Sequence, residues 1–273
     1  MSEVAEGTTA AEQENPLRTW FQNHEGRQLN KWIHYLDVYH RHFERYRGTD
    51  VHIVEIGVAN GGSLDMWKDY FGPDARIFGV DLHEGHKELE DEQTTILVGD
   101  QSDRTFLREL VRSVPRIDIL LDDGGHSMQQ QIATFEEVYP HIEPDGLYVC
   151  EDTHTSYWPK YGGGYRKPGT FNEYTKAWID KLHAWHTPDT APPRVDDFVA
   201  STFAMHWYDS VVVLEKAPRE RPIALRVGDD TLSFGTAAAT TPSKRSAAMR
   251  RIRNEGRERL GGLAAKLRER LRG

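Results

Sequence analysis

Apolar and polar positions alternate along this chain in two rhythms that take turns. Residues 30–46, NKWIHYLDVYHRHFERY, set Trp32, Leu36, Tyr39, Phe43 and Tyr46 three or four positions apart, the spacing of one helical face. The run VHIVEIGV predicts a strand, and Gly57 to Ser63 turn it into a helix bearing Leu64, Trp67 and Tyr70. RIFGVDL and TTILVGD predict two more strands, ending at Asp81 and Asp100. RTFLRELVRSV predicts a helix, IDILLDD a fourth strand, MQQQIATFEEVYPHI a helix and GLYVCED a fifth strand. TFNEYTKAWIDKLHAWH carries Phe171, Tyr174, Trp178, Leu182 and Trp185 along one helical face. DDFVASTFAMHWY and SVVVLEK then predict an antiparallel hairpin that closes the sheet. Strands alternating with helices argue for an α/β fold, a doubly wound sheet covered on both faces. Ligands of such sheets gather at the carboxyl ends of the strands. No internal repeat is visible.

Each predicted strand ends in an acid or a glycine loop. EIGVANGGS puts Glu55 at a strand end and Gly57, Gly61 and Gly62 in the turn, where a ligand can approach bare backbone and the N–H groups of the next helix. A dinucleotide fingerprint reads G-x-G-x-x-G. This loop reads E-x-G-x-x-x-G-G, which fits the S-adenosylmethionine loop of class I methyltransferases better. Asp81 is the residue type that accepts from both hydroxyls of a ribose, a device that NAD enzymes share. Asp100, in GDQSD, follows on the next strand beside an expected adenine.

DILLDDGGH, residues 118–126, poses a sharper question, because a buried strand gains nothing from two adjacent carboxylates at its tip. Asp123 ends the fourth predicted strand, and Glu151 and Asp152 end the fifth. Three converging carboxylates repel one another unless a cation sits between them. Oxygen ligands without cysteine suit Mg²⁺, with Mn²⁺ or Ca²⁺ as alternatives, rather than zinc. Two glycines then bring His126 close to that ion as a general base, a water holder or a solvated loop residue. His154, in CEDTHTSYW, is a second candidate base.

Composition narrows the class. The chain has 273 residues and a formal net charge of -9. Residues 243–273 hold 11 Lys/Arg and 3 Asp/Glu, so the body is strongly acidic and poorly suited to nucleic acid. Cys150 is the single cysteine, which points to a buried structural thiol in a reducing, cytoplasmic setting. No stretch approaches the ~20 apolar residues of a membrane span, and the N-terminus lacks the form of a signal peptide. The expected organisation is a flexible lead-in over 1–27, one catalytic domain over 28–235, and a basic tail over 236–273. In that tail Met249, Ile252, Leu260, Leu263, Leu267 and Leu271 trace an amphipathic stripe. It is expected to be a solvated extension, a packing helix or a peripheral contact with anionic lipid.

VEIGVANGGSLDMW, GDQSD, LLDDGGH and YVCEDTHTSYWPKYGGG, in this order, resemble the metal-dependent sugar O-methyltransferases of macrolide biosynthesis, the macrocin and mycinamicin type. Rhamnosyl O-methyltransferases and cephalosporin hydroxylases share part of the pattern. The resemblance covers about residues 28–216. It implies a Rossmann-like class I methyltransferase sheet, S-adenosyl-L-methionine as cofactor and a divalent metal. It also implies that Asp123, Glu151 and Asp152 are metal ligands and His126 the base. Glu55, Gly57, Asp81, Asp100 and Gln101 match cofactor positions, to which the loop adds Gly61 and Ser63, and Asp122 lines the cofactor's amino-acid end. The macrolide enzymes can carry an additional N-terminal domain, for which this chain is too short, and the basic tail is not part of the pattern.

The expected reaction is methyl transfer to a metal-bound sugar hydroxyl. The acceptor is a glycoside or oligosaccharide: a natural-product deoxysugar, a glycolipid sugar or a polysaccharide such as a methylated mannose polymer. SYWPKYGGGYRKPGTF reads as a lid whose Tyr157, Trp158, Tyr161 and Tyr165 stack on sugar faces and whose Gly162–Gly164 supply mobility. His34 and Tyr35 are placed across the pocket, and a homo-oligomer is expected. Three other readings stand beside this one. A catechol-type methyltransferase would use the same metal chemistry. An NAD-dependent oxidoreductase, or a noncatalytic nucleotide-binding module, would leave the carboxylates idle.

Overall fold

A computed structural model of the chain describes residues 15–188 and 191–227. It divides into two compact units, Met1–Pro222 and Ile223–Gly273. Every element below lies in the first. The tail over 236–273 and residues 1–14 of the lead-in lie outside the described residues.

The chain order is α1 (Pro16–Asn23), α2 (Ile33–Phe43), β1 (His52–Ile56), α3 (Gly62–Phe71), β2 (Arg76–Asp81), β3 (Thr94–Val98), α4 (Arg104–Ser113), β4 (Ile119–Asp122) and α5 (Met128–Val138). Then follow β5 (Leu147–Cys150), α6 (Phe171–Leu182), α7 (Asp197–Ser201), β6 (Thr202–Tyr208) and β7 (Val211–Lys216). One seven-stranded sheet runs β3-β2-β1-β4-β5-β7-β6. Strands β1 to β5 are parallel, and β7 and β6 close the sheet as an antiparallel pair. The expected α/β sheet and closing hairpin are therefore both present.

Successive residues of β1 feed opposite faces, as the strand period of two requires. Ile53 joins Tyr39, Phe43, Trp67 and Phe71 on the face covered by α2 and α3. Val54 and Ile56 join Leu107, Phe135 and Trp178 on the face covered by α4, α5 and α6. Ser127 and Gln130 form a reciprocal capping box that starts α5 directly after DDGGH.

Two expectations need correction. Residues 16–23 form helix α1 instead of flexible lead-in: Asn15 caps it, Pro16 opens it, and Leu17 is fully buried. DDFVAS is the short helix α7 and not strand, because the Asp196 side chain accepts from the Val199 N–H and caps a helical turn before β6 begins. Among the described residues no helix is long and apolar enough to cross a membrane.

Candidate active site

After β1 the chain builds outward through β2 and β3, then returns to start β4 on the other side of β1. This reversal is the switch point at which the sheet's edge opens a crevice. Here two of the singled-out loops touch. The Asp123 N–H donates to Ile56 O at 2.9 Å. Gly57 has φ +96, and a Cβ there would collide with the Asp123 carbonyl oxygen. Only glycine satisfies both conditions. Gly61, at φ +81, is the N-cap of α3. A Cβ on Gly62 would strike the carbonyls of Arg27 and Gln28, so the segment before α2 lies across this loop.

The Ser63 hydroxyl donates to Glu55 at 2.8 Å. Asp81 accepts from the N–H groups of Val58 and Ala59 at 3.1 and 3.3 Å, and from Leu82 at 2.7 Å, so its carboxylate braces the loop. Gln101 donates to Asp122 at 2.5 Å and accepts from the Gly125 N–H at 3.1 Å, tying the β3 and β4 loops together. Asp100 is exposed and accepts from the Ser102 N–H. Burial pushes Glu55 up to about 7 against the pull of Lys31, and pushes Asp122 up to about 7 against its bond from Gln101. Each also keeps one buried carboxylate oxygen, Glu55 Oε1 and Asp122 Oδ2, without a hydrogen-bond partner.

The carboxylates expected to share a metal divide into two groups. Glu151 is buried. Lys31 Nζ donates to both its oxygens at 2.9 and 3.0 Å, and the Tyr39 hydroxyl donates to one of them. Lys31 also donates to Asp123 Oδ2 at 2.5 Å and stands 4.0 Å from Glu55. Burial pulls the ammonium's pKa down most, but Asp123, Glu151 and Glu55 together hold it above the usual lysine range. Burial, reinforced by Asp123, raises Glu151 well above the ordinary carboxylate range. Glu151, expected to ligate the metal with Asp123 and Asp152, is thus bonded here by Lys31, which reaches Asp123 as well.

The second group is Asp123, His126 and Asp152, whose ligand atoms lie within 4.8 Å of one another. His126 Nε2 is 3.5 Å from Asp152 Oδ2 and 4.0 Å from Asp123 Oδ1. The Tyr35 hydroxyl donates to Asp152 Oδ1 at 2.7 Å and orients it. His126 and Asp152 both hold left-handed backbone, at φ 55 and 52, as does Ala59 in the glycine loop, at φ 47. Such conformations cost on the order of 1–3 kcal/mol each and persist where the surroundings impose them. His154 lies outside this group: its Nδ1 is 2.8 Å from Ser210 Oγ and 3.9 Å from Asp152.

Aromatic rings flank the group. Trp158 packs against His154 at 4.5 Å and Tyr161 at 6.0 Å, and Tyr161 stands 6.3 Å from His126. Tyr157 lines a separate cleft with Ile179 and Trp207. Tyr165 is exposed against Arg166. The glycines Gly162–Gly164, expected to supply mobility, also pack closely here. Gly163 and Gly164 donate to Trp158 O and Ser156 O, and a Cβ on Gly163 would strike the Thr155 carbonyl, so this glycine serves close packing.

Three residues that the structure brings beside the expected site were not singled out from the sequence as site residues. Lys31, Tyr39 and Trp32 sit in the stretch KWIHYLDVY, whose helical spacing reads as packing. Trp32 is instead exposed at the α2 N-terminus, 6.2 Å from His154. A lysine two residues before a helix with tyrosines four apart was the only available signal.

A family profile described as a methyltransferase domain matches residues 54–153. The chain is 36% identical over 197 residues to the 8-demethyl-8-alpha-L-rhamnosyl tetracenomycin-C 2'-O-methyltransferase of Streptomyces olivaceus, covering 68% of this chain and 52% of that protein. It is 35% identical to the demethylmacrocin O-methyltransferase of Streptomyces fradiae, covering 65% and 47%. The chain thus spans about half the length of the curated relatives it matches. The MycE methyltransferase of the mycinamycin pathway, solved with Mg, SAH and mycinamycin VI, superimposes with a TM-score of 0.66 at 30% identity, over 80% of this chain and 57% of that one. The α/β unit of this chain accordingly matches a methyltransferase domain profile over residues 54–153 and is similar to the macrocin- and mycinamicin-type sugar O-methyltransferases.

Proposed function

We propose that the protein is an S-adenosylmethionine-dependent O-methyltransferase that acts, with Mg²⁺, on a sugar hydroxyl of a glycoside. The observation that carries this reading is the convergence of Asp123, His126 and Asp152 beside the Gly57 loop at the sheet's switch point. The residues fit both groups. Asp123 and Asp152 offer the hard oxygen ligands that Mg²⁺ prefers, and the orphaned oxygens of Glu55 and Asp122 suit a cofactor bearing an ammonium and hydroxyls. MycE carries Mg and SAH, which supports the same pair here.

Bound Mg²⁺ would lower the pKa of a coordinated sugar hydroxyl, and S-adenosylmethionine would supply an electrophilic methyl group. The chain's residues supply the rest. Asp123 and Asp152 hold the cation, and Tyr35 fixes Asp152. His126 accepts the hydroxyl proton at Nε2, the atom that faces both carboxylates. Its imidazole is left for the base role because Mg²⁺ favours oxygen over nitrogen. Gly57, Gly61, Ser63 and Asp81 shape the cofactor loop, with Gln101 and Asp100 on the next strand end. Trp158 and Tyr161 offer faces to the acceptor sugar. Relatives named for rhamnosyl and macrolide substrates support a glycosylated natural product as acceptor. A polysaccharide acceptor is the alternative. Cys150, buried in β5, supports a cytoplasmic setting.

The test is calorimetric and chemical. S-adenosylmethionine and NAD are titrated separately with and without Mg²⁺, and a panel of glycosides is screened for methyl gain by mass spectrometry. Methylation of a glycoside that stops with EDTA and returns with Mg²⁺ is expected. NAD binding without S-adenosylmethionine binding would overturn the reading, and full activity after chelation would remove the metal from it.

A further inference from the structure

A second cluster of metal-type ligands lies on the closing hairpin. His206 of β6 and Glu215 of β7 project from neighbouring strands whose register is fixed by the pairs His206↔Val213 and Ala204↔Glu215. His42, in the last turn of α2, packs down on them. His206 Nε2 is 2.8 Å from Glu215 Oε1, and His42 Nδ1 is 3.3 Å from the same oxygen. One ligand atom from each of the three residues falls within 4.8 Å of the others.

We propose that His42, His206 and Glu215 form a second metal site, of the zinc class, that fastens α2 to the closing hairpin. The spacing suits that ion. Zinc bonds nitrogen and oxygen at about 2.0–2.2 Å, so adjacent corners of its tetrahedron stand roughly 3.3 Å apart. The separations of 2.8 and 3.3 Å need only small side-chain adjustments to reach that value. Two imidazoles plus one carboxylate is a donor set that selects a borderline ion over Mg²⁺. The site also has its outer support. With Nδ1 turned to the metal, His42 Nε2 is left to bond the Tyr208 hydroxyl, 2.9 Å away, and such a bond fixes the ring and its tautomer. Access is one-sided: the His42 side chain is 5% exposed, while those of His206 and Glu215 are 33% and 27% exposed. An ion can reach His206 and Glu215 from solvent, with His42 behind them and an open fourth position.

The consequence runs along α2. Tyr35, which orients Asp152, and Tyr39, which bonds Glu151, stand on the same helix, and Lys31 lies two residues before its start. A metal at its C-terminal turn would fix the helix that carries these groups.

The test is zinc titration of the metal-stripped full-length chain by calorimetry, with thermal unfolding run in parallel. Three proteins are compared: wild type, His206→Ala, and Asp152→Asn, which disables the other cluster. Wild type and Asp152→Asn are expected to bind one zinc ion at this site and to unfold at a higher temperature with zinc present. His206→Ala is expected to bind there at least tenfold more weakly and to lose that rise, with its metal-free unfolding close to wild type. Glu215→Gln, nearly isosteric, is the second variant and is expected to behave in the same way. Unchanged zinc affinity in both hairpin variants, loss of all zinc binding in Asp152→Asn, or no zinc binding by wild type would each overturn the proposal.

Discussion

Lys31 donates to both carboxylate oxygens of Glu151, at 2.9 and 3.0 Å, inside the protein. Removing one partner of a buried ion pair leaves an uncompensated charge and typically costs about 3–5 kcal/mol. Lys31→Met is therefore expected to destabilise the fold by about that amount in urea unfolding, with Glu151→Gln milder because a neutral amide keeps hydrogen bonding. Equal stability of Lys31→Met and wild type would show that Glu151 is neutral and its bond from Tyr39 sufficient.

Gly57 meets the Asp123 backbone at the switch point in a left-handed conformation. Gly57→Ala adds a steric penalty of more than ~1 kcal/mol from φ alone, and the collision with a carbonyl that cannot swing aside adds to it. Loss of cofactor binding by calorimetry and a clear fall in unfolding temperature are expected. A variant that binds S-adenosylmethionine normally would mean that the two loops can separate without consequence.

The fold was legible because its signals are local. Apolar runs, periodic helices and acids at strand tips lie within a few residues of each other, and the five parallel strands follow from them. The Asp123, His126 and Asp152 group was legible too, since all three sit at the ends of adjacent strands. Lys31 was not, because it is 92 residues from Asp123 and 120 from Glu151, and only the tertiary fold brings them together. The same distance hid the bond from Lys31 to Glu151. A sequence shows three carboxylates in search of a cation but not the lysine that reaches two of them. His42 and Glu215 were hidden likewise, each reading as one polar position on an ordinary element.

Trp32 and Trp158 both pack against His154, at 6.2 and 4.5 Å, and both are about half exposed. Exposed indoles beside a polar group suit an acceptor with an apolar face. Trp32→Ala is expected to raise KM for the acceptor with little change in kcat, since stacking of this kind is worth about 0.5–1.5 kcal/mol, roughly two- to tenfold. A fall in kcat at constant KM would instead tie Trp32 to the positioning of His154.

His126 faces two carboxylates through Nε2. As the proton acceptor it should contribute on the order of 10²–10⁴-fold to turnover. His126→Ala is expected to lower kcat by that factor while S-adenosylmethionine affinity holds. Asp123→Ala and Asp152→Ala are expected to lose Mg²⁺ binding together with turnover. Near-normal turnover of His126→Ala would transfer the base role to His154 or to water.

His52, at the start of β1, gives the stability a pH dependence independent of the active site. Burial chiefly, and then the positive charge of Arg116, push its pKa below the ordinary 6.5, with Asp118 pulling the other way. Its Nδ1 is buried without a hydrogen-bond partner, and its ring packs against Phe78 at 5.6 Å. The folded state therefore resists a proton that the unfolded chain accepts near pH 6.5. The sign follows: this contribution is present above pH 6.5 and is lost as pH falls through the depressed folded value. His52→Phe keeps the ring contact and removes the titration. Its unfolding temperature is expected to fall less steeply than that of wild type below pH 6.5, and the two curves should run parallel above it. Parallel curves throughout the acid range would show that His52 takes up its proton in the folded protein at no cost.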